Sequence, residues 1–284
     1  MNILDLKAGS PEWLSHRRNR ITATDVPIIM GHSPYKTPYE LFEQKVYGIT
    51  DGVLPKEVLE LADLAERLAH SWALSFLKQE GMSLQVFCDD EDSGMSATLD
   101  IADFQSSTLI EAKYVGFEMY ERIKLGDVPK HFYYQIQTQL MITGISRAYL
   151  FAMAPSHEYH TVVITPDKAA WVDIEVAVKE FQERIKTGNE PELTTRDWLT
   201  IESPLLSEMR ELTLKKKELD TKLEELREQA TKVFTHPRVR SEGVTWQRQI
   251  SKGNVNYKII PELQGVDLEK YRGKARESWV LRVK

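Results

Sequence analysis

The chain has 284 residues, of which 42% are hydrophobic and 28% charged, a composition typical of a folded globular protein and not of a disordered or fibrous one. Its single cysteine, Cys88, excludes an internal disulfide and a thiolate zinc cluster, and the absence of a long apolar run or a secretory-type N-terminus predicts a cytoplasmic protein with no membrane partner. The net charge of −6 does not exclude a nucleic-acid partner, because affinity for DNA follows local contacts between basic groups and phosphates.

Four helices are predicted in the first 80 residues. The first begins after Ser10, a good N-cap that precedes a proline and an acidic residue. A short second helix follows Thr24 and ends at Gly31. Residues 37–40, Thr-Pro-Tyr-Glu, form a capping box that begins the third helix. Leucines and alanines at helical spacing over residues 56–80 predict one long amphipathic helix.

The middle of the chain changes to runs rich in β-forming residues. Three of these runs, separated by acidic or serine-rich turns, predict a meander over residues 84–88, 95–104 and 107–114. A helix, two strands and a long helix follow over residues 129–144, 147–154, 158–165 and 167–187. Helices that alternate with strands in this way predict an α/β (α+β) fold, in which a central mixed sheet is flanked by helices.

The last third of the chain is expected to be organised separately from a first domain of residues 1–190. Residues 191–204 are loop-like and predict a linker. Apolar residues then recur at alternating steps of four and three, interrupted only by Lys216, and predict a coiled-coil or helical arm over residues 205–235: Leu205, Met209, Leu212, Leu219, Leu223, Leu226, Ala230 and Val233. Residues 236–284 carry 11 Lys/Arg and 5 Asp/Glu, a charge of +6 against −12 for the rest, and predict a small basic module containing β-structure.

Two neighbouring strands of the predicted meander carry the candidate catalytic residues. Asp100 stands near the end of one β-run, and Glu111 and Lys113 stand in the next. Residues two apart in a strand point to the same face, so Glu111 and Lys113 project together while Ala112 points the other way. Two carboxylates and the backbone carbonyl of Ala112 offer an all-oxygen site of the kind that Mg²⁺ or Mn²⁺ prefers.

This combination suits the hydrolysis of a phosphodiester. The reaction needs a metal ion to polarise the phosphoryl oxygen, lower the pKa of the attacking water and stabilise the leaving alkoxide. A lysine beside the ion orients or deprotonates that water, or offsets the charge that grows on the phosphate. Acidic residues and lysines also alternate on ordinary exposed strands, so the spacing becomes specific only together with other motifs.

Three further segments make the sequence recognisable. They are Glu12-Trp13-Leu14 with Arg17 and Arg20-Ile21-Thr22-Ala23-Thr24-Asp25, then Ser33-Pro34-Tyr35-Lys36-Thr37-Pro38-Tyr39-Glu40-Leu41, and Tyr134-Gln135-Ile136-Gln137-Thr138-Gln139-Leu140. Together with the Asp and Glu-x-Lys runs, and in this order, they resemble the phage lambda exonuclease family, in particular the YqaJ-like viral recombinase nucleases. The resemblance covers roughly residues 9–165 and implies a restriction-endonuclease-like core of the PD-(D/E)XK class.

The resemblance implies a role for each matching residue of the metal site. Asp100 and Glu111 are then metal ligands together with the carbonyl of Ala112, and Lys113 is the catalytic lysine. Glu66, on the long helix, falls where the family carries a glutamate that completes the metal environment, and Gln135 falls where the family contacts the metal or its water. The expected cofactor is Mg²⁺, or alternatively Mn²⁺, with two ions per site.

The resemblance also implies a DNA site. Arg17, Thr24 and Thr98 match positions at which the family binds the 5′ phosphate, and Gln137 of the Gln-x-Gln motif is expected to join them in contacting DNA. A guanidinium and two hydroxyls suit this ligand because they provide donors to an anionic end.

The function implied is that of a phage or prophage exonuclease acting in a bacterial host. It would degrade one strand of linear double-stranded DNA, from the 5′ end, and leave a 3′ overhang for a single-strand annealing protein. The family forms ring-shaped trimers, and the helical arm is a hypothetical docking site for the annealing protein. Two alternatives remain open: an endonuclease on the same core, and a non-catalytic DNA-end-binding scaffold, since Leu99 and Ile101 replace the Pro and Gly that usually flank the first Asp.

Overall fold

The computed structural model describes residues 1–7, 9–49, 55–78 and 81–249. The chain divides into two compact units, Met1–Leu199 and Thr200–Lys284. The first unit contains strands β1 (Asn2–Leu4), β2 (Ile21–Thr22), β3 (Ser83–Asp90), β4 (Met95–Asp103), β5 (Thr108–Tyr114), β6 (Arg147–Met153) and β7 (Tyr159–Ile164). Its helices are α1 (Pro11–Asn19), α2 (Val26–Ile29), α3 (Pro38–Tyr47), α4 (Lys56–Trp72), α5 (Phe117–Lys124), α6 (Lys130–Thr143) and α7 (Lys168–Thr187).

The strands of the first unit form a single seven-stranded sheet. Six strands follow the order β1-β3-β4-β5-β6-β7, and the short β2 pairs with β4. Neighbours are antiparallel except for β5 with β6 and β2 with β4, which are parallel. The predicted α/β fold with a central mixed sheet flanked by helices is therefore confirmed.

Helices cover both faces of this sheet. Helix α4 packs on one face through Ala65 and Ala69, whose small side chains are fully buried against Ile101 and Ile110. Helix α6 packs on the opposite face, where Ile136 belongs to the larger core cluster. The strands between α4 and α6 are thus buried on both sides, which explains why they are apolar almost throughout.

The helix boundaries in the N-terminal region follow the predicted capping residues. The Ser10 side chain accepts a hydrogen bond from the backbone N–H of Trp13, and Thr37 and Glu40 form both hydrogen bonds of the capping box. The predicted helix over residues 56–80 forms as α4, but residues 73–77 continue it as a π-helix that ends at Lys78. In the described ranges no helix combines the length and the apolar character that a membrane span requires.

Three elements were not expected from the sequence. Strands β1 and β2 have three and two residues, too few to show a hydrophobic period. They form because β3 and β4 offer pairing partners, β1 to Cys88 and its neighbours and β2 to Met95 and Ser96. Helix α5 follows Gly116, an N-cap residue without a side chain, so its start lacks the signal that marked the helices after Ser10 and Thr37.

The segment expected to be a linker, residues 191–204, is divided between the two units. Residues up to Leu199 belong to the first unit. The guanidinium of Arg196 donates to the backbone carbonyls of Ser33 and Pro34, at 2.8 and 2.9 Å, and the hydroxyl of Thr37 donates to Asp197. These long-range hydrogen bonds hold the segment against the first unit, although its local sequence reads as loop.

The second unit begins with the predicted arm. Helix α8 (Pro204–Val233) runs for 30 residues from a Ser203 N-cap, and the leucines of its heptad pattern are exposed. A hairpin of β8 (Arg238–Ser241) and β9 (Val244–Gln247) follows. The remainder of the predicted basic module, residues 250–284, lies outside the described residues.

Candidate active site

The candidate site lies where strands β4 and β5 separate. Their antiparallel pairing ends at Ile101 and Ile110, one residue before Asp100 and Glu111 would face each other. Instead of a further backbone pair, the Asp100 carboxylate accepts a hydrogen bond from the backbone N–H of Ala112, at 2.9 Å. The predicted spacing therefore does bring both strand-borne carboxylates to one place.

Strand β4 changes its facing direction at Asp100. Leu99 belongs to the core cluster that includes α6, whereas Ile101 belongs to the cluster that includes α4, although residues two apart in a regular strand face the same side. On β3 the register places Gln85 opposite Asp100. Gln85 has a positive φ of 50°, a backbone conformation that residues other than glycine rarely adopt. Both strands are thus irregular at one level of the sheet, and strain of this kind is concentrated at functional sites.

Glu111 is held by three donors. Its side chain is only 2% exposed. The ammonium of Lys113 and the amide of Gln135 donate to Oε1, the amide at 2.5 Å, and the amide of Gln139 donates to Oε2 at 2.6 Å. Gln135 and Gln139 both reach Glu111 because residues four apart lie on one face of a helix. Lys113 and Gln135 are the expected neighbours of Glu111, and Gln139 is a third that no sequence motif indicated.

Glu66 approaches the same region from the opposite face of the sheet. It lies on α4, and its Oε2 accepts a hydrogen bond of 2.7 Å from the amide of Gln85. Burial is the largest cause of the raised pKa of Asp100, and the negative charge of Glu66 adds to it. Gln85 was not predicted as a site residue, because no local motif marks it and its role depends on the irregular turn of β3.

Burial and a group of neighbouring carboxylates together determine the electrostatics of the site. Burial and the charge of Glu111 raise the pKa of Asp100 well above its usual range. Burial likewise raises the pKa of Glu66. Burial alone would lower the pKa of Lys113, but the charges of Glu111 and Asp100 outweigh it and raise that pKa. Three carboxylates thus share one ammonium group, an excess of negative charge.

This donor set fits a divalent cation with oxygen ligands. No group of three or more His, Cys, Asp or Glu side chains arranged to hold a metal occurs among the described residues. The site instead offers two strand-borne carboxylates, Asp100 and Glu111, and the backbone carbonyl of Ala112. Mg²⁺ is bound in this manner in many enzymes, through one or two carboxylates and several waters. A cation would also offset the negative charge that raises the pKa of Asp100.

The residues predicted to bind a 5′ phosphate, Arg17, Thr24 and Thr98, form a second cluster, the Arg17 cluster. The guanidinium of Arg17 donates to the hydroxyl of Thr24 at 2.9 Å and lies over the ring of Trp13, 4.7 Å from its centroid. Thr98 and Arg17 line the same small cavity. Since Thr98 precedes Asp100 by two residues on β4, this cluster adjoins the carboxylates along one strand.

A buried ion pair supports the Arg17 cluster. The ammonium of Lys45 lies 2.7 Å from the carboxylate of Asp25, with side chains 6% and 9% exposed. It also donates to the carbonyls of Arg17 and Arg20, and Asp25 accepts from the backbone N–H of Thr22. Lys45 and Asp25 therefore fix the end of α1 and the loop that follows it.

Gln137 does not join either cluster. It is fully buried on the side of α6 that faces α7, where its amide donates to the carbonyl of Thr165 and accepts from the indole of Trp171. A residue two positions from Gln135 points to a different side of the helix, so Gln137 cannot reach Glu111 or DNA in this conformation. Gln137 is thus not placed to make the expected DNA contact, and the α6 residue that joins Gln135 at Glu111 is Gln139.

The first unit therefore combines a mixed sheet flanked by helices with two carboxylates, Asp100 and Glu111, where β4 and β5 separate. Residues 12–146 match the family model described as the YqaJ-like viral recombinase domain. The resemblance noted in the sequence is thereby confirmed. No curated protein matches the chain in sequence.

Solved structures show where this fold occurs. An alkaline exonuclease from Laribacter hongkongensis, LHK-Exo, is similar with a TM-score of 0.52 and 21% identity over 63% of this chain and 94% of that chain. LHK-Exo in complex with dAMP gives a TM-score of 0.50 and 22% identity over the same shares. At this identity the similarity establishes a common fold.

Proposed function

We propose that the first unit is a metal-dependent exonuclease that degrades one strand of linear double-stranded DNA from its 5′ end. The observation that carries the proposal is the meeting of Asp100, Glu111 and Lys113 where β4 and β5 separate. The family match and the fold shared with an alkaline exonuclease support the same reaction class.

Each residue of the candidate site has a separate role in the proposed hydrolysis. Asp100, Glu111 and the carbonyl of Ala112 would hold Mg²⁺ or Mn²⁺, with Glu66 completing the environment, and two ions per site suit the three carboxylates. When bound, the ions polarise the phosphoryl oxygen and lower the pKa of the attacking water. Lys113 places a cation beside the phosphate where negative charge develops. Gln135 holds Glu111 in position.

The Arg17 cluster supports a preference for 5′ ends. A terminal phosphate carries more negative charge than an internal one and accepts several charge-assisted hydrogen bonds, which Arg17, Thr24 and Thr98 can donate. Binding the end beside the carboxylates would place the first phosphodiester in the site. Removal of nucleotides from that end leaves a 3′ single-stranded overhang, the substrate of an annealing protein.

The proposed exonuclease would have two protein partners, further copies of itself and a single-strand annealing protein. A homo-oligomer, a ring-shaped trimer in this family, would keep the enzyme on its DNA because a closed ring cannot dissociate sideways. The exposed heptad leucines of α8 suit a coiled coil and are our candidate site for the single-strand annealing protein. A protein lacking residues 205–284 should then retain nuclease activity and lose co-purification with its partner, whereas loss of both properties would contradict this assignment.

The decisive experiment is digestion of linear double-stranded DNA labelled at either end, with and without a 5′ phosphate. Reactions in Mg²⁺, in Mn²⁺ and in EDTA are compared, and covalently closed circular DNA is the control for internal cleavage. Metal-dependent loss of the 5′ label alone supports the proposal. Cleavage of the circle would make the protein an endonuclease, and binding of ends without digestion would make it a scaffold.

A further inference from the structure

The amide of Gln139 has an orientation that its hydrogen bonds determine. Its nitrogen donates to Glu111 Oε2 at 2.6 Å and to the backbone carbonyl of Thr98 at 3.1 Å. Both partners are acceptors only, so the nitrogen and the oxygen of this amide cannot be exchanged. The oxygen, Oε1, therefore points away from both.

That oxygen is buried without a partner. Gln139 is fully buried, and among the described residues its Oε1 is one of three buried side-chain atoms that lack a hydrogen-bond partner. Buried carbonyl oxygens nearly always accept a hydrogen bond, from protein or from an ordered water. A further donor, such as an ordered water, would satisfy it.

The lone pairs of Glu111 show where a cation would lie. A carboxylate has about four acceptor positions on its two oxygens. Lys113 and Gln135 occupy those of Oε1, and Gln139 occupies one of the two on Oε2. The remaining position for a cation is therefore on the oxygen that Gln139 shares.

We propose that Gln139 is a positioning residue of the metal site. It orients Glu111 Oε2 toward the cation and ties it to the strand that carries Thr98 and Asp100, while its Oε1 accepts a hydrogen bond from a buried water. The inference rests on the proposed function and adds to it a residue outside the recognised Gln-x-Gln motif. Groups that orient metal ligands in this way typically contribute 10- to 100-fold to metal affinity.

The test uses Gln139→Met in the full chain, with Gln137→Met as the matched control. Both residues are fully buried amides on α6, but Gln137 bonds to Thr165 and Trp171 instead of Glu111. Mn²⁺ affinity is measured by calorimetry, and kcat and KM for DNA are measured separately. We expect Gln139→Met to raise the Kd for Mn²⁺ about tenfold and to lower kcat with an unchanged KM. Gln137→Met should lower the Tm without changing the Kd.

An unchanged Kd in Gln139→Met, with a loss of Tm like that of the control, would show a purely structural role and overturn the inference. Should this variant not fold, Gln139→Glu carries the test. Its added carboxylate would lie against Glu111, so Mn²⁺ should raise its Tm by more than it raises that of the unaltered protein, and an equal rise overturns the inference. Absence of metal binding in the unaltered protein would instead contradict the proposed function itself.

Discussion

The Asp100 carboxylate accepts a hydrogen bond from the backbone N–H of Ala112 across the opening between β4 and β5. It does so in a setting that opposes its charge, since burial and Glu111 raise its pKa. A carboxylate whose pKa is raised on folding stabilises the folded protein below its unfolded pKa, and this contribution is lost as the pH rises through the folded pKa. Without metal, the protein should therefore lose stability as the pH rises from about 4 toward neutrality.

Asp100→Asn should separate stability from function. The amide oxygen can still accept from Ala112, and the unfavourable charge is removed, so we expect the Tm in EDTA at pH 7 to rise by about 2–4 °C. Cleavage should fall about 10²–10³-fold because the proposed metal ligand is lost. Scanning calorimetry over a pH series and the end-label assay measure the two effects.

Asp103→Asn is the control for this substitution. Asp103 lies on the same strand and caps the turn at Gln105 and Ser106 outside the site. Its replacement should leave cleavage unchanged. A Tm of Asp100→Asn that equals that of the unaltered protein at every pH would contradict the electrostatic account.

Glu66→Gln tests whether the helical glutamate belongs to the metal environment. The substitution keeps the size of the side chain and removes one of the three crowded carboxylates, so Mg²⁺ affinity should fall about 10- to 100-fold. Asp63→Asn on the same helix is the control, because Asp63 is exposed and pairs with Arg67. Titration of Mg²⁺ against Tm distinguishes the two variants. Equal Mg²⁺ dependence in both would remove Glu66 from the site.

Arg17→Ala tests the proposed role of the Arg17 cluster in binding the 5′ end. Loss of charge-assisted hydrogen bonds to a terminal phosphate should raise KM about 10- to 100-fold. The increase should appear with 5′-phosphorylated DNA and not with 5′-hydroxyl DNA. Arg18→Ala is the control, since Arg18 follows on the same helix but donates to the carbonyls of Lys45 and Val46. An equal increase in KM on both substrates would mean that Arg17 binds the DNA backbone and not its end.

Lys45→Met tests the buried ion pair beneath that cluster. Breaking a buried pair leaves Asp25 charged and without its partner, and such losses destabilise by about 3–5 kcal/mol. Urea unfolding followed by circular dichroism measures the change. Lys56→Met removes an exposed pair with Glu60 and should leave the unfolding midpoint unchanged. A midpoint equally unchanged in Lys45→Met would show that the pair contributes nothing to folding.

Local sequence signals account for much of the fold and for the centre of the candidate site. The alternation of a β-strand placed Glu111 and Lys113 on one face, and the caps at Ser10 and Thr37 began their helices where expected. The helical period also contains the link between Gln135 and Gln139, since residues four apart share a face. The Gln-x-Gln motif pointed to Gln137, but the helical period places Gln139, and not Gln137, on the face of Gln135.

The sequence by itself determined which residue types stand at which strand and helix positions, because those patterns depend on neighbours a few residues away. Only the tertiary structure decided that β4 turns at Asp100 opposite the strained Gln85, and that Lys45 supports the loop after α1. It also decided that residues 191–199 pack with the first unit. Each of these features depends on contacts between distant parts of the chain, whose burial and hydrogen bonding outweigh local preference.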